Sequence, residues 1–219
     1  MANRNAPGLD TRTIDDFKSK LVGGGARPNL FEVKLVYPEG LATEISNEEL
    51  ALDTRFMVKA ANLPASNINV IDVPFRGRNL KIAGDRTFDV WTITVINDTT
   101  FNIRNAFELW MNGINKHDNA TGETTPVDYQ TDATVYQLGR NLAQDSQSAN
   151  GGKIDASKSD KLPVLKAYEL HGIFPTNLSA IELSYDQPDT IEEFTVDLQV
   201  QWWDALNKDG QSILGTLSN

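Results

Sequence analysis

The chain has 219 residues, a formal net charge of −10 and no cysteine. The length suits one domain with a sizeable core, running from residue 1 to 219. The acidity argues against sequence-general nucleic-acid binding and against an anionic membrane surface, both of which need a basic footprint, and the missing cysteine excludes disulfides, thiolate catalysis and zinc–thiolate sites.

The opening MANRNAPGLDTRTIDDF lacks the apolar core of a secretory signal, and no apolar run approaches the roughly 18 residues of a membrane span, so no membrane anchor is expected. Residues 1–28 read as an N-terminal arm. Within it 13–22 spell a short helix, stopped by Gly23-Gly24-Gly25. That glycine run lacks the Lys-Ser/Thr of a phosphate loop and precedes a strand, so it reads as a joint. The stretch 29–37, NLFEVKLVY, alternates as a strand and opens a β core that extends to residue 204. A connection follows over 38–52, with a helical turn expected at 47–52. Strands are expected at 56–63, 68–75 and 79–83, and Gly84-Asp85 gives a turn signal.

The next strand is sharply patterned. Trp91, Ile93 and Val95 fall on one face, and Val90, Thr92, Thr94 and Ile96 on the other. The run Asn97-Asp98-Thr99-Thr100 carries helix-capping residues. Beyond it Ile103, Phe107, Trp110 and Ile114 recur at helical spacing, so a helix near 99–115 is expected to lay that stripe on the sheet. Residues 116–126 read as polar loop, 129–138 as a strand, and 139–163 as a long Gly/Ser/Lys/Asp-rich loop, a length that is usually functional or disordered. Strands at 164–173, 178–185 and 191–203 complete the core, and 205–219 is a polar tail. Short, regularly spaced strands with one helix indicate an all-β sandwich or barrel.

Chemistry is sparse. Gly151-Gly152-Lys153 runs into Ile154 rather than Ser or Thr, so it is no phosphate loop. His117 and His171 share no metal-ligand spacing. Asp118, Asn119 and Gly122 do not align as a calcium loop. Asn97, Asn119 and Asn177 stand in glycosylation sequons, which without a secretory signal are chance matches. Glu192 and Glu193 are adjacent on a strand and point to opposite faces, which places them poorly for joint acid–base work. No catalytic group, cofactor or metal is expected. Trp202-Trp203 with Tyr185 leaves open a carbohydrate-binding β-sandwich; one core and one interface tryptophan is the plainer reading.

Three stretches carry a family resemblance: ARPNLFEVKLVY (26–37), KAANLPASNINVIDVPFRGRNLKIAGDRTFDVWTITVIND (59–98) and LHGIFPTNLSAIELSYDQ with IEEFTVDLQVQWWD (170–204). Together they resemble the inner tail-tube proteins of contractile-tailed bacteriophages, which are related to the tubes of type VI secretion and contractile bacteriocins. The chain departs from the shortest members in the 39–52 connection, the 139–163 loop and the tail after Asp204. The resemblance implies a mainly β fold of two packed antiparallel sheets, a sandwich or partly closed barrel, with one flanking α-helix. It implies a structural protein, not an enzyme: six-membered rings stacked helically into a hollow conduit for DNA, in the virion tail or in a phage-derived injection system. Its implied partners are its own copies, the tail sheath protein, the tape-measure protein, the baseplate hub and the tail terminator, with DNA passing unbound. It also implies synthesis in the cytoplasm of a bacterial host. Asp197, Gln199 and Gln201 form a polar strand face opposite Phe194, Val196, Leu198, Val200 and Trp202. Lining the channel and ordinary solvent exposure both fit that face.

Overall fold

A computed structural model describes residues 13–21, 25–39, 46–139, 164–186 and 189–206. Residues 1–12 and 22–24 of the arm, 40–45 of the connection, 140–163 of the long loop and the tail from 207 lie outside them, so the readings made there are not addressed. In chain order the elements are α1 (Ile14–Lys20), β1 (Phe31–Leu35), α2 (Asn47–Met57), β2 (Val58–Ala61), β3 (Ser66–Phe75), β4 (Arg78–Phe88), β5 (Trp91–Ile96), α3 (Asn102–Ile114), α4 (Pro126–Tyr129), β6 (Thr131–Leu138), β7 (Val164–Leu178), β8 (Glu193–Gln199) and β9 (Trp202–Leu206).

Among the described residues seven strands form one antiparallel sheet, in the order β1-β6-β7-β8-β5-β2 with β9 beside β7, and β3 and β4 pair only with each other. The path folds on itself at β7. Residues Ala167 to His171 face β9, whereas Phe174 to Leu178 face β8. Between these pairings Gly172 adopts φ +61°, a left-handed conformation that favours glycine. A Cβ there would sit 2.7 Å from Gln201 Cγ, in the break between β8 and β9. The bend lets Val33, Leu35, Val135 and Leu170 from one half meet Trp91, Ile93, Val95, Phe194, Val196 and Leu198 from the other in one core. The fold is thus mainly β, with antiparallel sheets and no closed barrel: β1 and β2, at the two ends of the path, are not paired.

Helices close the open side of this core. Ile103, Phe107 and Trp110 of α3 are buried and Ile114 packs against the cluster from its margin, as the stripe predicts. α2 is a second covering helix. Ser46 caps it, accepting from Glu49 N–H, and Leu50 and Thr54, one turn apart, are buried. Arg55 Nε stands 2.7 Å from Glu32 Oε1 and ties α2 to β1. Tyr37 donates to Thr54 Oγ1 at 2.8 Å, and Thr54 donates to the Leu50 carbonyl at 2.8 Å. The Tyr37 ring lies 5.8 Å from Phe107 and 6.0 Å from Trp110. One buried hydroxyl chain therefore joins α2 to the strand end while the Tyr37 ring packs on α3, and burial raises the Tyr37 pKa well above the usual phenol value.

Several expectations are corrected. The turn at Gly84-Asp85 does not exist: β4 runs through both residues. The hairpin turns instead at Arg76-Gly77, both with positive φ, the geometry of a two-residue hairpin loop matched to strand twist. Gly84 faces the register shift between Ile68 and Val70, where a Cβ would stand 3.0 Å from the Asn69 carbonyl oxygen, a usual place for a strand glycine. The strand expected at 56–63 begins only at Val58, because α2 continues to Met57. The strand expected at 178–185 is absent; Leu183 and Tyr185 are exposed, and β7 ends at Leu178. The strand expected over 191–203 is split at Val200-Gln201, opposite Gly172, and its second part extends into Ala205 and Leu206, which the sequence assigned to the tail. The capping run does not cap α3. Its N-cap is Phe101, at φ +58° with no side-chain bond, while Asp98 and Thr100 hydrogen-bond to each other.

Candidate assembly interface

The β3–β4 hairpin is the unusual surface. Its side chains are almost all exposed, on both faces. Seven large apolar residues take part: Ile68, Val70, Ile71, Val73, Phe75, Leu80 and Ile82, with Phe75 66% and Leu80 61% exposed. The hairpin is anchored at its base, where Phe88 packs edge-on against Trp203 at 6.3 Å, Asn67 donates to Asp89, and Asp89 N–H donates to the Ala65 carbonyl. Monomeric proteins keep contiguous apolar patches small, so larger ones mark association. The sequence predicted both strands; their exposure has no sequence signature, because alternating and continuous apolar runs look alike whether the cover comes from the same chain or another.

α1 repeats the pattern on a smaller scale. Thr13 and Asp16 form a reciprocal capping box. Ile14, Phe17 and Leu21, which share one helix face, are exposed, Phe17 by 64%.

The polar residues singled out on the last strand are placed as follows. Asp197 and Gln199 lie on β8, half-buried on the face opposite the core. Gln201 is exposed in the break after β8, and its N–H donates to the His171 carbonyl. Asp197 pairs with Thr92 of β5 and Asn177 of β7 in the sheet register. It accepts from Thr92 Oγ1 at 2.6 Å and Asn177 Nδ2 at 3.0 Å, and these two bonds hold its carboxyl below the usual carboxylate value. Thr94 and Thr195 face each other in the next register pair. At one end of this face Lys59 Nζ meets Glu193 Oε1 at 2.5 Å, so its cation is neutralised. The result is a hydroxyl, amide and carboxylate surface. Glu192 instead accepts from Asn97, so the two adjacent glutamates act separately.

The aromatic platform does not form as one surface. Trp202 is exposed and stacks on His171 at 4.0 Å, whereas Trp203, on the other face of β9, packs against Tyr168 and Phe88. His171 sits between Asp132 and Glu169. Asn119 accepts from Thr121 N–H and hydroxyl in a local turn.

Comparison with known proteins gives a consistent result. The family model described as phage tail tube protein matches residues 26–205. The chain is 31% identical over 192 residues to tail tube protein gp19 of Enterobacteria phage T4, covering 87% of this chain and 99% of that protein. It is 26% identical over 189 residues to the tail tube protein of Serratia phage KSP90, covering 85% and 93%. A chain in the 6-fold symmetrised cryo-EM structure of the anti-feeding prophage baseplate superposes with a TM-score of 0.53 at 10% identity, covering 84% of this chain and 97% of that one. That last likeness concerns the fold.

Proposed function

The chain belongs to the phage tail tube protein family, and from that premise we propose that its copies close into six-membered rings, stacked helically as a hollow DNA conduit that is driven into a host when a surrounding sheath contracts. It is a structural subunit of a contractile phage tail, and its place is the tail tube of the virion. The proposal includes a non-catalytic role. It also includes contacts with sheath, tape-measure protein, baseplate hub and terminator, the parts that such a conduit meets along its length and at its ends.

The observation that carries the reading is the β3–β4 hairpin, a long ribbon with Ile71, Val73, Phe75, Leu80 and Ile82 on one face and no cover among the described residues. A lone two-stranded ribbon is marginally stable at best in water, and further strands or a packed partner stabilise it. Neighbouring copies supply that cover. The contact is heterologous, since the hairpin meets a different surface of the next copy, and such contacts close into rings when the rotation permits. The outer edges of β1 and β2, which pair with no further strand among the described residues, offer main-chain groups for the same purpose.

The proposed channel wall is the outward face of β8 and β5, with Asp197, Gln199, Thr92 and Thr94, continued by Gln201. A neutral-to-anionic wall does not capture phosphate, so DNA slides. Electron microscopy of purified protein tests the assembly: hollow tubes support it, and a monodisperse monomer overturns it. Replacing Gln199 and Gln201 with Lys tests the wall. Such tubes are expected to form, to retain DNA at low salt and to release it as salt rises. Normal tubes that neither retain DNA nor slow its passage would assign the channel to another face.

A further inference from the structure

A groove of about 780 Å³ opens beside the end of β1, between α3 and α4. Its apolar part includes Val36, Ile114 and Val127, and Val127 is 84% exposed. Its polar part is acidic: Glu39, Glu123, Asp128 and Asp132 line it, and none of its lining residues is Lys or Arg. Asp132 is engaged with His171 and Gly172 N–H. Glu39, Glu123 and Asp128 are exposed and make no ion pair among the described residues.

The hairpin tip has the opposite chemistry. Residues 74–81 read PFRGRNLK, with three cations and no carboxylate, in a chain of net charge −10. Lys81 is paired with Asp72 across the ribbon at 3.7 Å. Arg76 and Arg78 have no ion-pair partner among the described residues; Arg76 lies over the Phe75 ring at 5.3 Å. The tip therefore presents an apolar ring and two free guanidinium groups together, and the groove presents an apolar patch with three free carboxylates.

We propose that the β3–β4 hairpin tip of one copy seats in the acidic groove of a second copy, with Phe75 against Val36, Val127 and Ile114, and Arg76 and Arg78 against Glu39, Glu123 and Asp128. This rests on the tube reading and adds its specificity. Apolar cover along the ribbon supplies association without register, whereas paired opposite charges at a fixed tip select one partner site and reject others. Arginine suits the role because its planar fork can engage a carboxylate through two parallel hydrogen bonds. Tip and groove are different surfaces, so every copy offers one of each and the contact propagates.

Charge reversal tests this in the full chain. Arg76→Glu with Arg78→Glu, and separately Glu123→Lys with Asp128→Lys, are each expected to lower the assembled fraction at least tenfold, as read by sedimentation and electron microscopy. Because donor and acceptor surfaces are on the same chain, all four changes together are expected to restore assembly to within about twofold of the original. Unchanged assembly in either reversed chain, or no recovery in the fourfold variant, overturns the docking. Failure of the unaltered chain to form tubes would instead sink the tube reading itself. The absence of native cysteine allows a second measurement that does not depend on charge. Asn79→Cys with Val127→Cys, treated with a short bis-maleimide, is expected to yield a ladder of covalent multimers in tubes. Multimers from Phe17→Cys with Val127→Cys, and none from the first pair, would show that the N-terminal helix fills the groove and would overturn the proposal.

Discussion

β5 and β3 have similar compositions and opposite fates. Both are rich in Val and Ile, yet Trp91, Ile93 and Val95 are fully buried while Ile68, Val70, Ile71 and Val73 face solvent. β5 lies between β2 and β8, with α2 packed against it and its inner face in the common core, so its own chain removes it from water. Among the described residues β3 has β4 as its one strand neighbour and no layer covering it. Burying a Val or Ile side chain stabilises by roughly 1.5–3 kcal/mol; in β5 that gain holds the subunit, and in β3 it is not taken up by the described residues, which on the proposed reading leaves it for another copy. The difference separates residues that make the fold from residues that, under the proposed reading, make the assembly.

The comparison predicts unequal responses to truncation. Trp110 is buried in the same core as β5, beside Tyr37 and Phe107, and donates to the Tyr129 carbonyl at 2.8 Å. Trp110→Ala is expected to destabilise the subunit by about 3–5 kcal/mol in urea or thermal unfolding. An unchanged unfolding curve would place Trp110 outside the core.

Thr54→Val leaves the buried Tyr37 hydroxyl without its acceptor and is expected to cost about 1–3 kcal/mol. Adding Tyr37→Phe should recover much of that loss, since the orphaned group is then gone. A double variant as unstable as the sum of the two singles would show that the two hydroxyls are not coupled.

In the hairpin the order is reversed. Ile71→Ser with Leu80→Ser is expected to change subunit stability by no more than about 0.5 kcal/mol while abolishing visible tubes. Tubes in normal yield would mean that the ribbon is not an assembly surface.

The smallest effect concerns Asp197. Its carboxyl is held below the ordinary value of 3.8 by bonds from Thr92 and Asn177. The folded form therefore gains stability from ionised Asp197 above that value, and loses it as pH falls through the lower, folded value. Asp197→Asn is expected to remove a small part of the acid-side decline in melting temperature as pH falls below about 4. A decline identical in both chains would show that these bonds do not favour the charged form.

Much of the subunit was legible in the sequence because its signals are local. The 3-to-4-residue recurrence of Ile103, Phe107, Trp110 and Ile114 specified α3 and its buried face, and the alternation of Trp91, Ile93 and Val95 specified β5. The short helix expected within 13–22 is α1, Ile14–Lys20. The family resemblance rested on ordered motifs between residues 26 and 204 and was matched by the family model over 26–205. Where local signals competed, the sequence reading failed. Gly84-Asp85 looks like a turn, yet Arg76-Gly77 closes the hairpin, because the register that pairs Phe75 with Arg78 fixes the turn from the strands outward.

What the sequence determined by itself was composition, periodicity and lineage: an acidic, cysteine-free β subunit with one strong helix stripe and the motifs of a tail tube protein. Only the tertiary structure decided which apolar strands are covered. It also decided that β7 bends at Gly172 to serve both halves of the sheet, that α2 carries past residue 52 to bury Leu50 and Thr54, and that an acidic groove and a basic tip occur on the same molecule. These depend on contacts between residues far apart in the chain, and burial is a property of that arrangement: the same Val or Ile reads identically in β3 and β5 until it is known what lies against it.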